Sequence, residues 1–143
     1  MSGQLQVQLT ETAEAAYAGY YRDAEGCILE GDESSPKVKA LRDLEEALTT
    51  TIPANPFNQK IALAGYLSTI FRFSKERLRI CYLCHGLQRR IVILYICEAG
   101  AEEAECYATF TYMVMSGEFD AAFVSLGLTP PSRSGLTQRP SIN

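Results

Sequence analysis

The sequence predicts an α+β domain: a mostly antiparallel twisted sheet, made of an N-terminal strand plus a three-strand meander, with two N-terminal helices and a C-terminal helix. Three observations lead there. Residues 4–10 alternate polar and apolar side chains with period two, as a half-buried strand does. Residues 11–50 change to helical spacing. Residues 69–96 then hold three short β-type runs separated by two tight turns. Helices and strands that are segregated along the chain in this way pack as helices on one face of an antiparallel sheet.

The elements follow in order. In the first strand Leu5, Val7 and Leu9 share a face. A helix over about 11–29 offers Ala15, Ala16, Tyr20 and Tyr21 as its buried side. Ser34 or Ser35 caps the next helix and Pro36 fits its first turn. Val38, Leu41, Leu44 and Leu48 recur every three or four residues, so this helix runs to about Thr50 with the leucines inward and Glu45 and Glu46 wet. Pro53 and Pro56 rule out its continuation. Strands over 69–73, 77–84 and 90–96 come next. Phe71 and Phe73 oppose Arg72 across the first of these, and Leu78, Ile80 and Tyr82 oppose Arg77, Arg79, Cys81 and Leu83 across the second. Helical segments over 107–116 and 119–126 close residues 1–128 as a single domain. Residues 129–143, rich in Pro, Ser and Gly, read as a flexible tail.

The totals limit function. The 143 residues suit one domain, and no stretch is long and apolar enough to span a bilayer. The first residues have neither the basic nor the apolar region of a secretory signal. Five cysteines, an odd number without framework spacing, predict reduced thiols in a cytoplasm. A net charge of −4 argues against a general nucleic-acid binder. Yet Arg72, Lys75, Arg77, Arg79, Arg89 and Arg90 all fall between positions 63 and 96. Such a cluster in an acidic protein marks a local anion site, for RNA first and an acidic partner protein second.

Other motifs have plainer explanations. Cys81-Tyr82-Leu83-Cys84-His85 spells the haem-attachment pattern C-x-x-C-H, but along a strand its two thiols point to opposite faces. A zinc site from these cysteines with Cys97, Cys106 and His85 lacks a second C-x-x-C, so no metal and no cofactor is expected. His85, the sole histidine, falls in a hairpin turn, where an exposed role outweighs a catalytic one.

The meander resembles that of the RelE/ParE superfamily of type II toxins, in a YhaV/RelE-like branch. The residues that carry the likeness are Leu63 and Gly65, Phe71-Arg72-Phe73, Lys75, Arg77-Leu78-Arg79-Ile80-Cys81-Tyr82 and the apolar strand over 91–96. Beyond the sheet, Tyr107-Ala108-Thr109-Phe110, Met113 and Ser116-Gly117 extend it, so it spans roughly residues 41–117. The resemblance implies a bacterial, cytoplasmic toxin that cleaves mRNA without a metal, some members doing so on the ribosome, and that is held by a cognate antitoxin in a hetero-oligomer. It implies catalytic roles for Arg79, Arg72 and Tyr107, and RNA-binding roles for Lys75 and Arg77. Arg89 and Arg90 belong to the same RNA-binding set, although they flank a turn, which favours solvated strand edges for these two.

One departure stands out. Relatives carry basic residues between the last strand and the tyrosine. Here residues 98–106 hold Glu98, Glu102, Glu103 and Glu105 and no Arg, Lys or His. Carboxylates there would repel phosphates. An active toxin, an attenuated one and an inactivated one therefore all stay open. So do two alternatives: a non-catalytic antitoxin-binding module on the same fold, and a DNA gyrase inhibitor of the ParE type.

Overall fold

The computed structural model describes residues 6–58, 69–100 and 103–133. Leu5, Leu63, Gly65 and Glu102, as well as the tail beyond Arg133, lie outside the described residues. Strand β1 (Gln6–Leu9) leads into helix α1 (Glu11–Leu29), then α2 (Pro36–Glu46), a π-helical turn (Ala47–Thr51) and one further turn, α3 (Ile52–Ala54). The meander is β2 (Phe71–Lys75), β3 (Leu78–His85) and β4 (Arg90–Glu98), and α4 (Glu103–Met115) and α5 (Asp120–Ser125) complete the chain. The sheet order is β1-β4-β3-β2, with the meander antiparallel and β1 parallel to β4.

Local chemistry sets the helix ends. Thr10 accepts the N–H of Ala13 (3.1 Å) and donates its own hydroxyl to the Leu94 carbonyl (2.8 Å), so one side chain both caps α1 and fastens it to the sheet. Ser35 is the cap of α2, accepting from the Lys37 amide, and Pro36 follows in the first turn. The expected stop at Pro53 does not occur there. The helix widens at Ala47–Thr51, where the Ile52 amide bonds back to Ala47, and Pro53 is carried within α3. A proline ring collides with the carbonyl four residues back in an α-helix, and a π-turn opens that spacing.

The sheet is covered on both faces, which corrects the expectation that the helices share one. The first core lies under α1 and α2 and is filled by Ala13, Leu44, Leu48, Ile52, Phe73, Leu78, Ile80, Tyr82, Ile91 and Ile93. From α1 it receives Ala16, Tyr17 and Tyr20, whereas Ala15 is exposed and Tyr21 is half exposed. The second core lies under α4 and α5 and joins Ile70, Cys81, Leu83, Val92 and Leu94 to Phe110, Val114, Phe119 and Phe123. Two buried faces explain why β4 is nearly all apolar. A bulge lets β4 serve both: Cys81 pairs with Tyr95 but Tyr82 with Ile93, so the adjacent Leu94 and Tyr95 both turn towards the second core.

The start of the presumed tail is packed. Pro130 and Pro131 are buried, and Asp120 holds the Ser132 hydroxyl (2.6 Å) and the Arg133 guanidinium (3.2 Å). Residues 130–133 thus pack beside α5.

Candidate functional site

Strand register brings together residues far apart in sequence. Arg72 pairs with Cys81, and Cys81 with Tyr95. One step along the sheet, Ser74 pairs with Arg79, and Arg79 with Cys97. Side chains two apart on a strand share a face, so Arg72 and Arg79 project from the α4 face at its β2 end. Helix α4 delivers Tyr107 to the same place. The Arg72 guanidinium carbon lies 5.3 Å from the centre of the Tyr107 ring, within cation–π range. Nη1 of Arg79 donates to the carbonyls of Glu76 (2.6 Å) and Leu78 (2.9 Å), which commits one of its two terminal nitrogens to the backbone.

The electrostatics of Tyr107 reflect both arginines. Burial raises its pKa; the approach of the Arg72 guanidinium to its hydroxyl, and the Arg72 and Arg79 charges, oppose that shift. The phenol is therefore protonated at neutral pH. Its hydroxyl is buried, with no hydrogen-bond partner among the described residues. A buried donor without an acceptor is uncommon, and one beside two guanidinium groups is set up to meet an anion's oxygen.

The remaining basic residues do not join this site. Lys75 lies on the α2 face and is held by Asp43 (3.2 Å) and Glu46 (3.8 Å). Arg77 donates to the Ala99 carbonyl (3.0 Å) from the hairpin turn. Arg89 and Arg90 stand at the opposite end of the sheet, where Arg90 bonds Gln8 and the Ser125 carbonyl. His85 is also there, six positions along β3 from Arg79, or roughly 20 Å. The single basic surface suggested by the sequence is thus divided between two faces and two ends.

The carboxylates of the 98–106 segment are also divided. Glu98 faces the α1/α2 side, close enough to Tyr20 to help raise its pKa. Glu105 is exposed, in a cleft bordered by Tyr95 and Thr109 on the β4 side of α4. Neither of these two lies against Arg72.

Cysteine chemistry departs from expectation. Cys97 and Cys106 are joined as a disulfide, Cα–Cα 6.4 Å, where all thiols were expected reduced. The cause is topological: α4 turns back over the face from which Cys97 projects and brings Cys106 over it. Nothing in a nine-residue spacing announces this; the signal lay only in two cysteines flanking the turn between a strand and a helix. Cys81 and Cys84 do point to opposite cores, and burial lifts the Cys81 thiol to about 12 and raises that of Cys84. Two protonated thiols on opposite faces cannot hold one haem or one zinc ion.

No protein-family model and no curated protein sequence matches the chain. Among solved structures it is similar to a chain of the toxin–antitoxin complex RelBE2 from Mycobacterium tuberculosis, with 16% identity and a TM-score of 0.50, over 68% of this chain and 94% of that one. A chain of the chromosomal ParDE system from P. aeruginosa matches with 19% identity and a TM-score of 0.44, over 68% and 98% respectively. The fold is therefore the one seen in the RelBE2 chain.

Proposed function

We propose that this chain is the toxin of a bacterial type II toxin–antitoxin pair and acts as a metal-free endoribonuclease on mRNA, free or ribosome-bound, in the cytoplasm. The observation that carries this reading is the convergence of Arg72, Arg79 and the buried Tyr107 hydroxyl from three elements onto one spot. A planar guanidinium can hold two phosphate oxygens and stays charged. In the proposed step the ribose 2′-hydroxyl gives its proton to a water molecule as its oxygen attacks the neighbouring phosphorus, the bond from phosphorus to the 5′-oxygen breaks, and Arg72 and Arg79 stabilise the charge that gathers on the phosphorane. Tyr107, kept protonated, supplies the proton to the departing 5′-oxygen. The products would carry 2′,3′-cyclic phosphate and 5′-hydroxyl ends. A cognate antitoxin would silence the chain by laying an acidic segment across the same arginines.

The test is to incubate purified protein with mRNA, alone and with ribosomes, and to identify the product ends. Cyclic-phosphate ends that depend on Arg79 support the reading. Intact mRNA in both settings overturns it.

A second reading, a non-catalytic antitoxin-binding module, draws on Glu98, Glu103 and Glu105 standing where basic residues are expected. It predicts antitoxin binding with no cleavage. A gyrase supercoiling assay run in parallel separates the third, ParE-like activity.

A further inference from the structure

We propose that Cys97–Cys106 is a reversible thiol–disulfide site, opened by monothiols of the glutathione class, whose state sets the position of Tyr107 against Arg72 and Arg79. The effect on RNA rests on the endoribonuclease reading above; the thiol chemistry does not.

Position is the first argument. Cys97 on β4 pairs directly with Arg79 on β3, and Cys106 immediately precedes Tyr107, whose ring meets Arg72. The bridge therefore ties the strand of one site residue's neighbour to the helix turn that carries another. Closing the nine-residue separation restricts the first turn of α4. It also keeps the exposed Glu105 on the β4 side, away from the arginines at the β2 end.

Access is the second argument. The bridge borders a cleft of about 320 Å³ also lined by Tyr95, Gly100, Glu105 and Thr109, which is open enough to admit a small thiol. Cys97 is partly exposed and Cys106 is 9% exposed, so attack falls on the sulfur of Cys97. The other three cysteines do not compete: Cys27 is on α1, Cys84 faces the other core, and Cys81 is buried and held as a thiol.

The exchange balances as follows. A monothiolate attacks Cys97 Sγ, the S–S bond breaks, and Cys106 leaves as a thiolate that takes up a proton. A second monothiol attacks the mixed disulfide, freeing Cys97 as a thiol and leaving as the oxidised dimer. The protein disulfide gains two electrons and the two monothiols lose them. Cys106 leaves from the first turn of α4, where unpaired backbone N–H groups favour negative charge. Oxidised glutathione reverses the sequence. In a reducing compartment such a bridge is a transient, regulatory one.

In the bridged form Tyr107 is pre-organised; in the dithiol form the first turn of α4 loosens and the site weakens. The full chain is equilibrated in glutathione buffers of graded ratio, denatured, alkylated and weighed. Five alkyl adducts are expected when reduced and three when oxidised, the five cysteines less the bridged pair. Amide hydrogen exchange over residues 103–110 should be about tenfold faster in the reduced protein. Cys106→Ser, and Cys97→Ala as a second route, should exchange at the fast rate in every buffer. Five adducts at every ratio, or exchange indifferent to the bridge, overturns the proposal. A fluorescent 2′-O-methyl RNA should bind the oxidised form about tenfold more tightly. If that RNA binds neither form while adducts and exchange behave as stated, the redox site stands and the endoribonuclease reading fails; equal binding by both forms overturns the regulatory part.

Discussion

On the face covered by α1 and α2, polar groups end on partners: Lys75 on Asp43 and Glu46, Lys39 on Asp43 and Glu76, and the Tyr17 hydroxyl on Glu45 at 2.7 Å. On the face covered by α4 and α5, Arg72 rests on the Tyr107 ring, and the Tyr107 hydroxyl is near that guanidinium without an acceptor in hydrogen-bond geometry among the described residues. The same strands build both faces, because alternation gives each strand two sides. The difference shows that positive charge on a sheet is not by itself a site. Lys75 and Arg72, three residues apart on one strand, differ in kind: one is neutralised by carboxylates within the fold, the other rests on an aromatic ring.

The largest expected effect breaks the second core without touching the arginines. Phe110 is fully buried, so Phe110→Ala should cost about 3–5 kcal/mol in denaturant unfolding. Because α4 also carries Tyr107, activity should fall with stability. Arg79→Ala should do the opposite. It should slow cleavage by roughly 10²–10³-fold while shifting stability by only about 1–2 kcal/mol, from the loss of its bonds to two carbonyls, as read from the unfolding midpoint. If its loss of activity tracks a loss of fold, Arg79 is structural and the contrast between the faces disappears.

Tyr107→Phe separates chemistry from packing at a single atom. Cleavage should slow by about 10²-fold. Stability should change little, since the substitution removes a buried hydroxyl that has no acceptor in hydrogen-bond geometry among the described residues. The α1 face has its own titration. Burial chiefly, helped by Glu98 and opposed by Arg77, pushes Tyr20 up to about 12 from 10.0. The unfolded chain ionises first, so this contribution is present below pH 10 and is lost as pH rises from 10 towards 12. Tyr20→Phe should flatten that part of the stability–pH curve, measured by urea unfolding at successive pH values. The smallest effect is Lys75→Ala, whose half-exposed ion pairs contribute less than about 1 kcal/mol.

Much of this contrast is legible in the sequence, and the remainder is not, for physical reasons. Period-two alternation places Phe73 and Arg72 on opposite faces without any structure. Ser35 and Pro36 mark the start of α2 because capping is a local interaction. Tyr107 meets Arg72 only through the packing of α4, which depends on Phe110 finding Leu94 and Cys81 across the sheet. Non-local contact of that kind leaves no spacing to read. The passage of the helix through Pro53 is hidden for the opposite reason: the local rule is clear, and the π-turn evades it. The pairing of Lys75 with Asp43 and Glu46 joins a strand to a helix some thirty positions earlier, so the basic run looks uniform until it is folded.

The most direct measurement is the rate of mRNA cleavage, with and without ribosomes, by the wild-type chain, Arg79→Ala and Lys75→Ala side by side at matched folded concentration. Cleavage lost in Arg79→Ala and retained in Lys75→Ala is the predicted result. Equal losses in the two variants, or a greater loss in Lys75→Ala, would contradict the assignment of the anion site to the α4 face.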